Sequence, residues 1–201
     1  MRSVKFWQIK PEIRILGVDD GPFVPDYRGR VPLVGVVFRG GSWLDGVMIT
    51  DVEKDGMDAT ERLVEMLLRS RHLGQLRVLM VDGVTFAGFN VLDVREVFRK
   101  TGLPVVVISR ELPEMADIRQ ALRHLPRWKE RWQIIKGTGK IYPVTTKSQD
   151  RPIYMQLVGI KREDAERIVR LSSTRSLVPE PLRVAHLIAT AIVRGESYGR
   201  V

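Results

Sequence analysis

The first half of the chain is built from short apolar runs, and two of them stop at an acid followed by glycine. Residues 12–18 (EIRILGV) end at Asp19-Asp20-Gly21, and residues 76–81 (LRVLMV) end at Asp82-Gly83. Between them, residues 31–38 and 43–52 flank the tight turn Arg39-Gly40-Gly41-Ser42. Apolar runs this short, bounded by turn residues, are strands. Residues 59–73 carry Leu63, Met66, Leu67 and Ser70 at helical spacing. A second helical pattern over 91–100 stops at Thr101-Gly102 and leads into the run 103–108. The order is strand, strand, strand, helix, strand, helix, strand. Such an order dictates an α/β fold, with three antiparallel strands, then parallel strands joined by right-handed helical crossovers and helices on both faces.

Beyond this point the chain reads as mostly helical: residues 113–125, 128–135, 162–171 and 180–194, with short strands at 141–144 and 153–158 and a loop over 137–150. No repeat or linker divides it, so residues 1–201 read as one domain. With no Cys, disulfides, thiolate metal sites and thiol catalysis are excluded. There is no apolar run long enough for a membrane span, and the opening MRSVKFWQIKPEIR lacks the pattern of a secretory signal, so the expected setting is cytoplasmic, away from membranes. Lys and Arg number 33 against 24 Asp and Glu, and 24 of the 33 are Arg. That excess suits a polyanionic partner, because guanidinium presents a planar fork of donors to phosphate.

Strand direction turns the punctuating acids into a site. The first and third strands and both crossover strands run the same way, so Asp19-Asp20, Asp58, Asp82, Ser109 and Glu111 fall at one edge of the sheet. In open α/β sheets that carboxyl edge is where ligands bind. If the first and fourth strands are neighbours, Asp19 and Asp82 reach a shared divalent cation, with Asp20 and Asp58 as further candidate ligands; Mg²⁺ or Mn²⁺ is the expected cofactor. Each acid also has an ordinary reading. Asp20-Gly21, Asp55-Gly56 and Asp82-Gly83 are turn dipeptides, and Asp58 with Glu61 forms a capping box.

The stretch Arg14-Ile15-Leu16-Gly17-Val18-Asp19-Asp20-Gly21-Pro22-Phe23 resembles the opening of an uncharacterised, mainly archaeal family related to endonuclease V. Asp55-Gly56-Met57-Asp58-Ala59-Thr60 and Val81-Asp82-Gly83-Val84-Thr85-Phe86-Ala87-Gly88-Phe89-Asn90 resemble its next two signatures. Pro179-Glu180-Pro181-Leu182-Arg183-Val184-Ala185-His186 resembles the tail motif shared with endonuclease V itself. The resemblance implies a ribonuclease H-like fold and Mg²⁺-dependent cleavage of a phosphodiester near a deaminated base such as deoxyuridine or hypoxanthine, a DNA-repair activity. It carries the three catalytic acids onto Asp19, Asp58 and Asp82. Two elements of endonuclease V are absent: residues 157–162 (LVGIKR) lack its Gly-His-Arg, and residues 43–48 (WLDGVM) lack its Pro-Tyr-Ile-Pro wedge. A catalytically impaired nucleic-acid-binding module of the same fold is therefore the alternative.

The expected partner is nucleic acid, DNA before RNA, bound by a monomer or weak homodimer. Arg28 and Arg30, on the loop after the first strand, are candidate phosphate contacts, as are Lys136 and Lys140. Phe89 is a candidate base-stacking residue and Asn90 a substrate contact, with core packing and a helix cap as their respective alternatives. Trp128 and Trp132 read as a core-facing stripe, and His186, among Val184, Ala185 and Leu187, as a packing histidine.

Overall fold

The computed structural model describes residues 3–148 and 151–198. Its elements are β1 (Arg14–Asp20), β2 (Arg30–Arg39), β3 (Trp43–Glu53), α1 (Ala59–Arg69), β4 (Val78–Asp82), β5 (Thr85–Phe86), β6 (Asn90–Val91), α2 (Val94–Thr101), β7 (Val105–Ser109), α3 (Met115–Leu122), α4 (Trp128–Gly137), β8 (Tyr142–Val144), β9 (Ile153–Val158), α5 (Arg162–Ser172) and α6 (Glu180–Arg194). Seven strands form one mixed sheet in the order β3-β2-β1-β4-β7-β9-β8. β1 is antiparallel to β2 and parallel to β4, and β4 is parallel to β7. β9 then runs antiparallel to β7, and β8 antiparallel to β9. This is the mixed sheet that the order of apolar runs dictates.

The central strands are apolar on both sides because both sides are covered. Along β1, Leu16 and Val18 join the cluster under α1 and α2 with Leu63, Leu67, Val94 and Val97. Ile15 faces the other way, into the cluster with Ile168, Val169 and Leu182 of α5 and α6. Gly17 lies between. A Cβ at Gly17 would sit 2.3 Å from the carbonyl carbon of Pro181, so the missing side chain is what lets the first turn of α6 rest on β1.

Two expectations shift locally. The helix expected over 59–73 ends at Arg69, and a single 3₁₀ turn, Leu73–Gln75, leads into β4. Residues 90–91 pair with 85–86 in a small hairpin, so the helix expected from 91 starts at Val94. The end of the loop expected over 137–150 lies outside the described residues.

Candidate active site

The register of β1 on β4 pairs Val18 with Val81, which sets Asp19 and Asp82 side by side where the two strands end. Adjacent strands lie about 4.8 Å apart, and equal register puts both side chains on one face of the sheet. That face is the one covered by α6. Asp19 is only 5% exposed. His186, five residues along α6 from the Pro181 contact with Gly17, has Nδ1 at 2.9 Å from Asp19 Oδ2. An ionised carboxylate only accepts, so the imidazole donates from Nδ1. This bond holds the His186 pKa above its usual value, against the opposing effect of its partial burial.

Asp82 is pushed up to about 6, by burial first and then by the charge of Asp19, while Arg110 and His186 act in the opposite direction. Asp20 points to the other side of the sheet edge. Its carboxyl is pushed up to about 7, by burial and then by Asp19, with a smaller contribution from Asp82. Asp20 Oδ2 accepts the amide of Ala87 at 2.6 Å, and the Asp20 amide donates to Asp19 Oδ1 at 2.9 Å. A cleft of about 420 Å³ opens over these groups, bounded by Asp19, Asp20, Phe23, Asp82, Arg110 and His186. Among the described residues, no three His, Asp or Glu side chains are disposed to hold a metal ion by themselves. The protein therefore offers a pair of carboxylates, one buried and one half-buried, a histidine fastened to the first and an arginine at the rim.

Residues 11–193 match the family profile of endonuclease dU. The chain belongs to the endonuclease dU family. A UPF0215 protein of Methanothermobacter thermautotrophicus is 54% identical over 200 residues, covering 99% of this chain and 97% of the relative. The crystal structure of a protein of unknown function from Archaeoglobus fulgidus superposes with a TM-score of 0.82 at 35% identity, over 91% of this chain and 99% of that one. The catalytic domain of human endonuclease V gives 0.63 at 20% identity, over 96% and 89%. Ciona intestinalis endonuclease V, in complex with a 23mer DNA containing an inosine followed by a ribo-adenosine, gives 0.60 at 15%, over 92% and 87%. This endonuclease dU family member thus has the endonuclease V, ribonuclease H-like fold.

Of the acids expected at the site, Asp58 does not join the others. β3 is separated from β1 by β2, so its end lies about 10 Å along the edge from Asp19, two strand spacings away. The Asp58 carboxylate also has partners of its own. Oδ2 accepts Arg30 at 2.8 Å, and Oδ1 accepts Asn90 Nδ2 at 2.6 Å and the Glu53 amide at 3.1 Å. Although burial pushes its pKa up, the bonds from Asn90 and Arg30 hold it below the usual value. Asp58 is held by bonds within its own corner of the fold. It occupies the N-cap position of α1, yet its side chain makes no cap bond, so the capping box with Glu61 does not form.

Asn90 supplies that cap from outside the helix. It is 0% exposed. Its Oδ1 accepts the Ala59 amide at 2.9 Å, and its Nδ2 donates to Glu53 O at 2.8 Å as well as to Asp58. Complete burial removes Asn90 as a substrate contact, and α2 is capped by Asp93, which accepts the amides of Arg95 and Glu96. The exposed Arg30 guanidinium pairs with Asp51 and Asp58 through Nε and Nη2. Phe89 packs half-buried against the cluster of Val91, Leu122 and Ile135. Arg28 is exposed and has no ion-pair partner among the described residues. Lys136, exposed on α4, stands 5.9 Å from the Trp132 ring, and Lys140 is exposed on the loop that follows. Trp128 and Trp132 form the expected stripe against Leu122 and Ile135.

His186 and Arg110 escaped the reading by residue type. Arg110 lies between Ser109 and Glu111 at the edge already singled out, so the edge rule itself points to it. For His186 the signal is indirect: Gly17 facing Pro181 brings α6 against β1.

Proposed function

We propose that this endonuclease dU family member is a Mg²⁺- or Mn²⁺-dependent endonuclease that hydrolyses a phosphodiester in DNA beside a deaminated base, deoxyuridine foremost. The observation that carries the reading is the paired carboxylates of buried Asp19 and half-buried Asp82, the second pushed up to about 6 by desolvation and the charge of the first. A divalent cation relieves that repulsion, and the donor set fits one. Mg²⁺ is commonly bound through one or two carboxylates, with water and substrate phosphate completing its shell. Asp19 and Asp82 are the residues that would hold it. When bound, the cation supplies an activated water and stabilises charge on the leaving oxygen.

The chain's own side chains do the rest. His186 fixes the orientation of the Asp19 carboxylate, the role that outer hydrogen-bond partners play at metal sites. Arg110, on the cleft wall, offers a fork of donors to a non-bridging phosphate oxygen. Ala87 holds Asp20 toward the opposite face of the sheet, so its carboxyl buttresses the loop after β4.

A panel of end-labelled oligonucleotides, each with one deoxyuridine, hypoxanthine, abasic site or mismatch, tests the reading. Cleavage next to deoxyuridine is expected with Mg²⁺ or Mn²⁺ and is absent in EDTA. Among the described residues no third side chain joins Asp19 and Asp82 in a metal-holding group, which favours one rival, a module of the same fold that binds without cutting. Salt-sensitive binding of every oligonucleotide with no cleavage in any divalent metal would establish that rival instead.

A further inference from the structure

β3 is the outermost strand on its side of the sheet, where it pairs with β2 alone. A strand edge open to solvent is a template for a further strand, and proteins guard such edges with charge, proline or a covering segment. In an antiparallel pair, successive residues turn their main-chain groups alternately toward the partner strand and away from it. The Lys54 amide donates to Gly29 O at 2.9 Å, one step beyond the Arg30–Glu53 pair, so even-numbered residues from Met48 onward face β2. Val47, Ile49, Asp51 and Glu53 therefore turn their N–H and C=O groups outward. The end of this edge is closed by side chains. The Glu53 amide donates to Asp58 Oδ1 and its carbonyl accepts Asn90 Nδ2, while Asp51 O accepts Arg62 Nε at 3.2 Å. At Val47 and Ile49 the outward groups have no partner among the described residues.

The side chains beside that gap are apolar. Val47 lies opposite Val36 and Ile49 opposite Val34, on the face of the sheet where α6 packs over β1 and β2. Beyond α6 they are open to solvent, Val47 44% exposed and Ile49 56%. No charge or proline stands between Gly46 and Thr50. Charge is instead divided between the ends of the strand. The His72 ring lies against Gly46 near the start, with exposed Arg71 beside it, and Asp51 and exposed Glu53 stand at the end. We propose that two copies of the chain pair along β3, antiparallel about a two-fold axis at Met48, and so form one continuous sheet. In that register Val47 of each copy lies opposite Ile49 of the other. Each such pair exchanges two main-chain hydrogen bonds, and the four side chains close into one apolar patch. Gly46, with His72 and Arg71, meets Thr50 of the other copy, one residue from Asp51, so the basic start of each strand meets the acidic end of its mate. A parallel pairing would set like charges together, and it lacks the two-fold symmetry of a closed dimer. β2 separates this edge from Asp19, so both clefts stay open and the pairing holds whether or not the chain cuts.

Sedimentation equilibrium of the full chain, in EDTA and without nucleic acid, tests the pairing. A monomer–dimer equilibrium in the micromolar range is expected, as suits a small interface. Ile49→Lys changes an exposed side chain and sets a charge against Val47 of the other copy; it should raise the dissociation constant by at least about 100-fold. Single cysteines read the register, because the chain has no other thiol. Met48→Cys should give a disulfide-linked dimer on mild oxidation. Residues facing each other across the two-fold at that position have Cα atoms about 4.5 Å apart, within the span of a disulfide. Thr50→Cys should stay unlinked, since its two copies would lie about 13 Å apart along the strands. A monomer at every concentration, a dimer unaffected by Ile49→Lys, no linkage through Met48→Cys, or linkage through Thr50→Cys overturns the proposal.

Discussion

Replacing Asp82 by Asn measures how strongly the neighbouring carboxylates oppose each other in the metal-free protein. Asp82 ionises at about 6 in the fold, against roughly 3.9 in an unfolded chain. Between those values the native state holds the proton and the unfolded state has released it, so stability falls as pH rises through the window. The contribution is present below about pH 4 and lost by about pH 7, and amounts to about 3 kcal/mol. Asn is nearly isosteric and carries no charge. Asp82→Asn should therefore stabilise the metal-free protein by only about 1 kcal/mol at pH 4.5 and by up to about 3 kcal/mol at pH 8. For a domain of this size that is a rise in Tm of roughly 6–12 °C. Scanning calorimetry in EDTA at the two pH values is the assay. Added Mg²⁺ at pH 8 should raise the Tm of the wild-type protein, by mass action on the native state, and leave the Asn variant unmoved. A variant less stable than wild type at pH 8, or equally affected at both pH values, refutes the argument that Asp82 is a half-buried charge opposed by Asp19.

Three further substitutions probe the supports of the cleft. Gly17→Ala drives a methyl group into the Pro181 backbone; it should cost about 1–3 kcal/mol in urea unfolding and, by shifting α6, lower the His186 pKa seen by NMR titration. Asn90→Ala strips the Ala59 amide of its partner and removes a donor from Glu53 O and Asp58 Oδ1; a loss of about 2–3 kcal/mol is expected, with the metal requirement for cleavage unchanged. His186→Ala releases the Asp19 carboxylate; the Mg²⁺ concentration for half-maximal cleavage should rise about 10–100-fold, while the Tm in EDTA moves little.

What the chain revealed on its own follows from where apolar residues must go. β1, β4 and β7 are buried on both faces and so appear as unbroken apolar runs, and the acids that end them stand out by contrast. Direction along the chain then puts Asp19 and Asp82 at one edge with no coordinates needed. Distance along that edge is a different matter. The return strand β2 wedges between β1 and β3, and nothing local in residues 43–58 says which side of β1 they occupy; Asp58 was therefore grouped with acids about two strand spacings away. Asn90 reads locally as a substrate contact or a cap on the helix that follows it, because its actual bond is nonlocal. It caps a helix that begins 31 residues earlier, and no spacing rule covers such a bond. His186 was hidden by its neighbours, since Val184, Ala185 and Leu187 make the helix face look like core. Only the close approach of α6 at Gly17 reveals that this face meets the edge where Asp19 sits.

Cleavage of a deoxyuridine-containing oligonucleotide by Asp19→Asn, Asp82→Asn and Asp58→Asn, over a range of Mg²⁺ concentrations, discriminates most sharply between the acids. The first two variants should lose activity by a factor of at least about 100, the scale of removing a charged group from the reacting centre, and Asp58→Asn should retain cleavage with the same metal requirement. Activity that survives Asp82→Asn but disappears with Asp58→Asn would contradict the placement of the site between β1 and β4.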